Sequence, residues 1–90
     1  MKTESTVYIL SKQLALRIIK LYKFLTEEKH EYIMSKQIYR SGTSIGANFA
    51  ESKFASSRAD YLNKMRIALK EANETLYWLE LLRESDYIKS

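Results

Sequence analysis

The chain has 90 residues and a mass of 10.6 kDa, with 46% hydrophobic and 29% charged residues. That is the balance of one globular domain rather than of a disordered segment. There is no proline and there are only 2 glycines, too few to turn a small β-sandwich, and the absence of cysteine excludes disulfides, thiolate metal sites and cysteine catalysis. The net charge of +4 is uneven: residues 1–70 carry 13 Lys and Arg against 6 Asp and Glu, whereas residues 71–90 carry 2 against 5. A basic body with an acidic end suits an anionic partner, or head-to-tail contact between copies. No apolar run approaches the ~20 residues that cross a bilayer. The polar start MKTEST lacks the apolar core of a signal peptide, so a cytoplasmic, membrane-free protein is expected.

The first predicted helix covers about residues 5–29. Val7, Leu10, Leu14, Ile18, Leu21 and Leu25 follow one another in steps of three and four, one stripe of a 3.6-residue helix. Lys12, Lys20 and Lys23 share its solvent side. The polar run Glu27–Glu31 breaks the pattern and forms a turn. His30 lies there beside Glu27, Glu28 and Glu31, and too few ligands of fixed geometry surround it for a metal site.

The second helix covers about 31–54, with the stripe Met34, Ile38, Gly42, Ile45 and Phe49. Ser41, Gly42, Thr43, Ser44 and Gly46 are poor helix formers, each glycine costing ~1 kcal/mol against alanine. A loop over 41–46 is the competing reading, but the apolar period runs straight through. Gly42, Gly46 and Ala50 recur every fourth residue and would let a neighbouring helix approach closely. Arg40, Ser44, Asn48 and Glu51 share another side. They read either as a polar recognition face or, preferably, as a hydrogen-bond network fixing this helix to a neighbour.

The third helix covers about 57–84. Ser57 with Asp60 fits a capping box. Leu62, Met65, Leu69, Ala72, Leu76 and Leu79 form the seam of an antiparallel bundle. Ile67, Trp78 and Leu81 lie almost opposite that seam. A helix apolar on two sides is buried on two sides, so a further helix or another subunit is expected to cover Trp78, making these three the oligomer interface. Lys64, Arg66 and Lys70 add positive charge that, with the lysines of the first helix, could follow a phosphate backbone. Tyr22, Tyr39, Tyr61 and Tyr77 could stack on bases, though half-buried packing is the preferred reading. Glu71 and Glu74, one turn apart, read as surface charges rather than an acid/base couple. No P-loop, nucleophile elbow or dinucleotide fingerprint occurs. No catalytic residue, metal or cofactor is expected.

The run from Arg40 through Ser41-Gly42-Thr43-Ser44-Ile45-Gly46-Ala47-Asn48-Phe49-Ala50 to Glu51 resembles the signature of the bacterial four-helix bundle proteins encoded by intervening sequences of 23S ribosomal RNA genes. Asp60-Tyr61-Leu62, the run Lys70 to Thr75, Tyr77-Trp78-Leu79 and, upstream, Leu21 to Leu25 are similar to the same family. The resemblance spans about residues 7–88. It implies a four-helix bundle assembling as a homopentamer. It also implies a relationship to the accessory proteins of diversity-generating retroelements, basic pentamers that engage nucleic acid and a reverse transcriptase. Members continue into a fourth helix, whereas this chain stops at Ser90, where that helix would be capped.

The expected fold is therefore an all-α, up-and-down antiparallel bundle of the four-helix type without its fourth helix, leaving part of the Leu62–Leu79 seam exposed. The expected function is a non-enzymatic homo-oligomer that binds RNA or DNA through basic surface. The alternative is a protein-interaction scaffold with no nucleic-acid role, in which a reverse-transcriptase-like or other protein is the partner.

Overall fold

The computed structural model describes residues 2–89, with side chains from residue 6 onward. Three helices are found and, among the described residues, no strand: α1, Lys2–Glu27; α2, Met34–Ser52; and α3, Arg58–Glu84. The all-α character and the three expected helices are present, and Ser90, the expected cap of a further helix, lies outside the described residues.

The helix boundaries follow from local chemistry. His30 adopts a left-handed backbone (φ 53°) and ends the turn after α1, where Glu31 N–H donates to Leu25 O at 2.8 Å. Glu31, expected as the first residue of α2, instead caps it from outside. Its carboxylate accepts from the backbone N–H groups of Ile33, Met34 and Ser35 at 3.1, 3.0 and 2.7 Å. Three donors without intrahelical partners are satisfied by one anion at the positive end of the helix dipole. At its other end α2 stops at Ser52 rather than Phe54. The chain tightens there, with Phe54 N–H donating to Glu51 O and Ala55 N–H to Ser52 O. The expected cap of α3 is present: Ser57 Oγ accepts from Asp60 N–H at 3.1 Å, while Asp60 accepts from Ser56 N–H at 3.1 Å. After α3, Asp86 is left-handed (φ 68°), and Tyr87 and Ile88 turn back onto the core.

α2 lies between the other two helices and antiparallel to both. Gly46 meets Ser11 and Gly42 meets Ile18 on one side; Ser41 meets Thr75 and Glu51 meets Lys64 on the other. No Cα of α1 comes within 8 Å of one in α3. The molecule is accordingly an elongated, open three-helix arrangement of 43 × 20 × 19 Å. Side chains of all three helices converge at one end, where Ile18, Leu25, Ile38 and Leu82 are buried. Toward the other end the space between α1 and α3 stays open. It is a groove of about 720 Å³, floored by Ile45 and Phe49 and walled by Val7, Met65, Leu69 and Ala72.

The segment 41–46 is helical throughout. Its two glycines serve the approach of α1. A Cβ on Gly42 would stand 2.8 Å from Cγ1 and 2.9 Å from Cγ2 of Ile18, both parts of a stiff, buried, β-branched side chain. Gly46 is less tight, its Cβ position being 3.2 Å from Ser11 Oγ. Gly42→Ala is therefore expected to lower stability by ~1–3 kcal/mol, as over-packing does, although alanine is the better helix former. Gly46→Leu is expected to melt below Ser56→Leu, since Ser56 sits exposed in the turn before α3. Thermal unfolding followed by circular dichroism measures both, and a Gly42→Ala variant melting at or above the parent would remove the close contact.

Candidate functional site

Two sets of polar side chains stand out, one internal and one on the surface. The internal set joins α2 to α3. Arg40 Nη1 donates to Glu71 Oε2 at 2.8 Å and its Nη2 to Glu74 Oε2, forking across one turn of α3. Trp78 Nε1–H donates to the same Glu74 oxygen at 3.0 Å. Below them Ser41 and Thr75 share a buried hydrogen bond of 3.0 Å, and Thr75 also donates to Glu71 O at 2.8 Å. Glu71 is only 8% exposed. Glu71, expected as a surface charge, is buried, whereas Glu74 stays partly exposed, and both pair with Arg40. Ser44 and Asn48 bond only within α2, to the carbonyls of Arg40 and Ser44, while Glu51 pairs with Lys64 at 2.8 Å.

Electrostatics follow the pairing. The Arg40 guanidinium and the Trp78 indole hold the Glu74 carboxyl below its ordinary range, and Glu74 followed by Glu71 raises Arg40. Glu51 raises Lys64.

The surface set lies on α1 and the adjoining side of α2. Lys12, Lys20 and Lys23 are exposed, and no ion pair engages them among the described residues. Between Glu4 and Glu27 the chain carries Lys12, Arg17, Lys20 and Lys23 and no carboxylate, and between Glu31 and Glu51 only Lys36 and Arg40. Lys12 and Lys23 are eleven residues apart, about 20° from one line along the helix. Lys12 also edges a shallow groove of about 190 Å³ between α1 and α2, floored by Ala15, Gly46, Ala47 and Ala50. Tyr8 stands in the same groove with Lys53 Nζ 4.5 Å from its ring centroid. Tyr22 and Tyr39 form an edge-to-face pair with centroids 4.9 Å apart. Tyr8 and Lys53 were missed in the sequence because they come from opposite ends of the α1–α2 pair. The antiparallel pairing that places Gly46 against Ser11 is the only signal that joins them.

The structure divides the remaining predicted positions. Arg66 and Lys70 are exposed on α3, whereas Lys64 is half-buried and held by Glu51. Tyr61 lines the groove between α1 and α3, and Tyr77 packs edge-on to Trp78 at 5.0 Å, so the four tyrosines form no single stacking surface. Trp78 packs against the core of its own chain, with Ile67 and Leu81 half-buried beside it. Exposed apolar side chains lie along the opposite seam, at Leu62, Leu69 and Leu76, and also on α1, at Ile9, Leu10 and Leu16. His30 Nδ1 lies 3.0 Å from Tyr32 Oη in an exposed turn, and no group of three or more metal-ligating side chains occurs among the described residues. No helix among them is long and apolar enough to cross a membrane.

The sequence profile of the 23S rRNA-intervening sequence protein family matches residues 3–90. The chain belongs to that family. A similar solved structure is the 1.70 Å crystal structure of a protein of unknown function from the S23 ribosomal protein family of Bacteroides thetaiotaomicron. The two are 60% identical, with a TM-score of 0.95 over 99% of this chain and 79% of that one. No curated protein matches the chain.

The Glu74 pairing fixes a pH dependence for this family member. A carboxyl held low stabilises the fold above its ordinary titration range, and that contribution is lost as pH falls through the depressed value. Stability is expected to fall on acidification below about pH 4.3, with a parallel change in Trp78 fluorescence. Glu74→Gln should flatten both curves, and an unchanged acid profile in that variant would show that the Arg40 fork does not stabilise the fold.

Proposed function

We propose that the chain is a non-enzymatic, homo-oligomeric helical protein that holds the backbone of RNA, or of an RNA–DNA hybrid, on the cationic side of α1. The supporting observation is the run of exposed cations Lys12, Arg17, Lys20 and Lys23, which have no ion-pair partner among the described residues and no carboxylate between them in sequence. Most of the other close cation–carboxylate geometry lies in the α2–α3 contact, at Arg40 and Lys64. That leaves α1 facing solvent with its charge intact. Lysines spaced along a helix contact phosphates without reading bases. Binding on this reading is strong at low salt and weak in sequence preference.

The second reading is a scaffold for protein partners, a reverse transcriptase among them through the resemblance to retroelement accessory proteins. The exposed leucines of α3 favour it.

The variant carrying Lys12→Glu, Lys20→Glu and Lys23→Glu is expected to lose most RNA binding in a fluorescence-anisotropy titration while keeping its helicity. The parent's log affinity should fall with log salt by ~0.7 per phosphate contact on a single strand. Parent protein that binds neither RNA nor DNA at low salt supports the scaffold instead. So does a triple variant that binds as tightly as the parent.

A further inference from the structure

The α1–α2 seam has an outer side that shares no lining residue with the groove between α1 and α3. Its floor is made of the small side chains Ala15, Thr43, Gly46, Ala47 and Ala50, in a space of about 190 Å³. Aromatic rings mark both ends of this strip. At one end Tyr8 lines the groove with Lys53 Nζ 4.5 Å from its ring centroid. Toward the other, Tyr22 and Tyr39 meet edge to face across the seam, Tyr39 standing 40% exposed. Both rings continue the line of the floor. Tyr22 is two turns beyond Ala15, and Tyr39 is one turn before Thr43, whose hydroxyl donates to the Tyr39 carbonyl at 2.7 Å. Tyr8 and Tyr22 lie about 21 Å apart along α1.

Cations border the strip on both helices: Lys12 and Lys23 on α1, Lys36 one turn before Tyr39, and Lys53 just past the end of α2. All four are exposed, and none has an ion-pair partner among the described residues. The carboxylates near them in sequence are placed elsewhere. Glu31 turns inward to cap α2 and Glu51 pairs with Lys64, which leaves Glu27 and Glu28, exposed where α1 ends.

We propose that this groove seats an unpaired nucleic-acid strand, the four lysines holding phosphates while bases lie on Tyr8 and Tyr39. The inference rests on the phosphate-binding reading above and deepens it by choosing the form of the strand. Rings and charge together make that choice. Duplex bases stack on one another and offer a protein only their edges, whereas unpaired bases expose a face to a tyrosine. A floor mostly of alanine and glycine has little with which to read base edges, so the seat tolerates any sequence. The distance from Tyr8 to Tyr22 spans about six phosphates at the 3.4 Å spacing of a stacked strand, and fewer when the strand is extended. In the free chain the Lys53 ammonium lies over the Tyr8 ring. A phosphate arriving at that end draws the ammonium aside and frees the ring for a base.

Fluorescence anisotropy at low salt tests the proposal with three labelled probes of about ten residues: oligouridylate, oligothymidylate and a fully paired RNA duplex. Both single strands are expected to bind at least tenfold tighter than the duplex, and the ratio between them tells RNA from DNA as the source of the strand. Tyr39→Leu should weaken single-strand binding about tenfold, the loss of one stacked base, with duplex binding and the salt slope unchanged. Tyr39→Phe keeps the ring and should bind as the parent does. Lys53→Gln should lower the salt slope by ~0.7. Photo-cross-linking of a bromouridine-substituted strand to the parent chain requires no variant to fold, and should place the link on Tyr8 or Tyr39. A duplex bound as tightly as the single strands overturns the groove and leaves phosphate binding by α1 standing. So do a Tyr39→Leu variant of parental affinity and cross-links confined to α3. A parent that binds neither strand nor duplex removes both readings.

Discussion

The approach of α1 to α2 at Gly42 sets the geometry on which the rest depends. With no side chain at that position, the backbone of α2 sits directly against Ile18, and any Cβ there would intrude on it. The cost is a helix centre rich in poor formers, about 1 kcal/mol for each glycine. What offsets it is packing on both flanks. On one, Gly42 and Gly46 admit α1; on the other, the buried Ser41–Thr75 bond and the Arg40 fork hold α3. A helix that is narrow on one side and polar on the other can stand between two neighbours. The neighbours are then too far apart to close on each other. The open groove is thus a direct consequence of how α2 is built.

The same arrangement separates the charges. Pairing at the α2–α3 contact consumes Arg40, Lys64 and three carboxylates, Glu51, Glu71 and Glu74. Between Glu4 and Glu27, α1 carries Lys12, Arg17, Lys20 and Lys23 with no carboxylate, while the C-terminal end of α3 and the turn after it carry Glu80, Glu84 and Asp86. A member of the 23S rRNA-intervening sequence protein family therefore presents two unlike surfaces: a cationic helix flank suited to phosphates and an apolar, charge-polarised seam suited to another helix. The two lie on different helices, which allows both to be used at once.

Much of this could be read from residues alone. The apolar period through 38–49 outweighed the local propensity of Ser41–Gly46, and the Gly42/Gly46 spacing pointed to a close helix contact. Ser57 and Asp60 marked the start of α3. What was not legible depended on pairing across sequence distance. Glu31 looked like a helical residue because its role as a cap is set by the turn at His30, whose left-handed backbone no residue pattern announces. Glu71 looked exposed because its polarity says nothing of Arg40, 31 positions earlier. The Leu62–Leu79 seam looked like the inward face because it forms the longest apolar stripe of the helix. The inward face of α3 is the line Ala68, Glu71, Thr75 and Leu82, two of whose members are polar and so do not register in a hydrophobic stripe. A polar line that is satisfied by hydrogen bonds packs as well as an apolar one.

If α2 is the element that holds the other two, its central amides are protected until the whole molecule opens. Native-state hydrogen exchange resolved by residue measures this directly. The slowest amides should lie between Ile38 and Gly46, with free energies of opening equal to that of global unfolding and matched by the best-protected amides of α1 and α3. Central α2 amides that exchange quickly while α1 or α3 remains protected would contradict the account, because the flanking helices would then stand without the one between them.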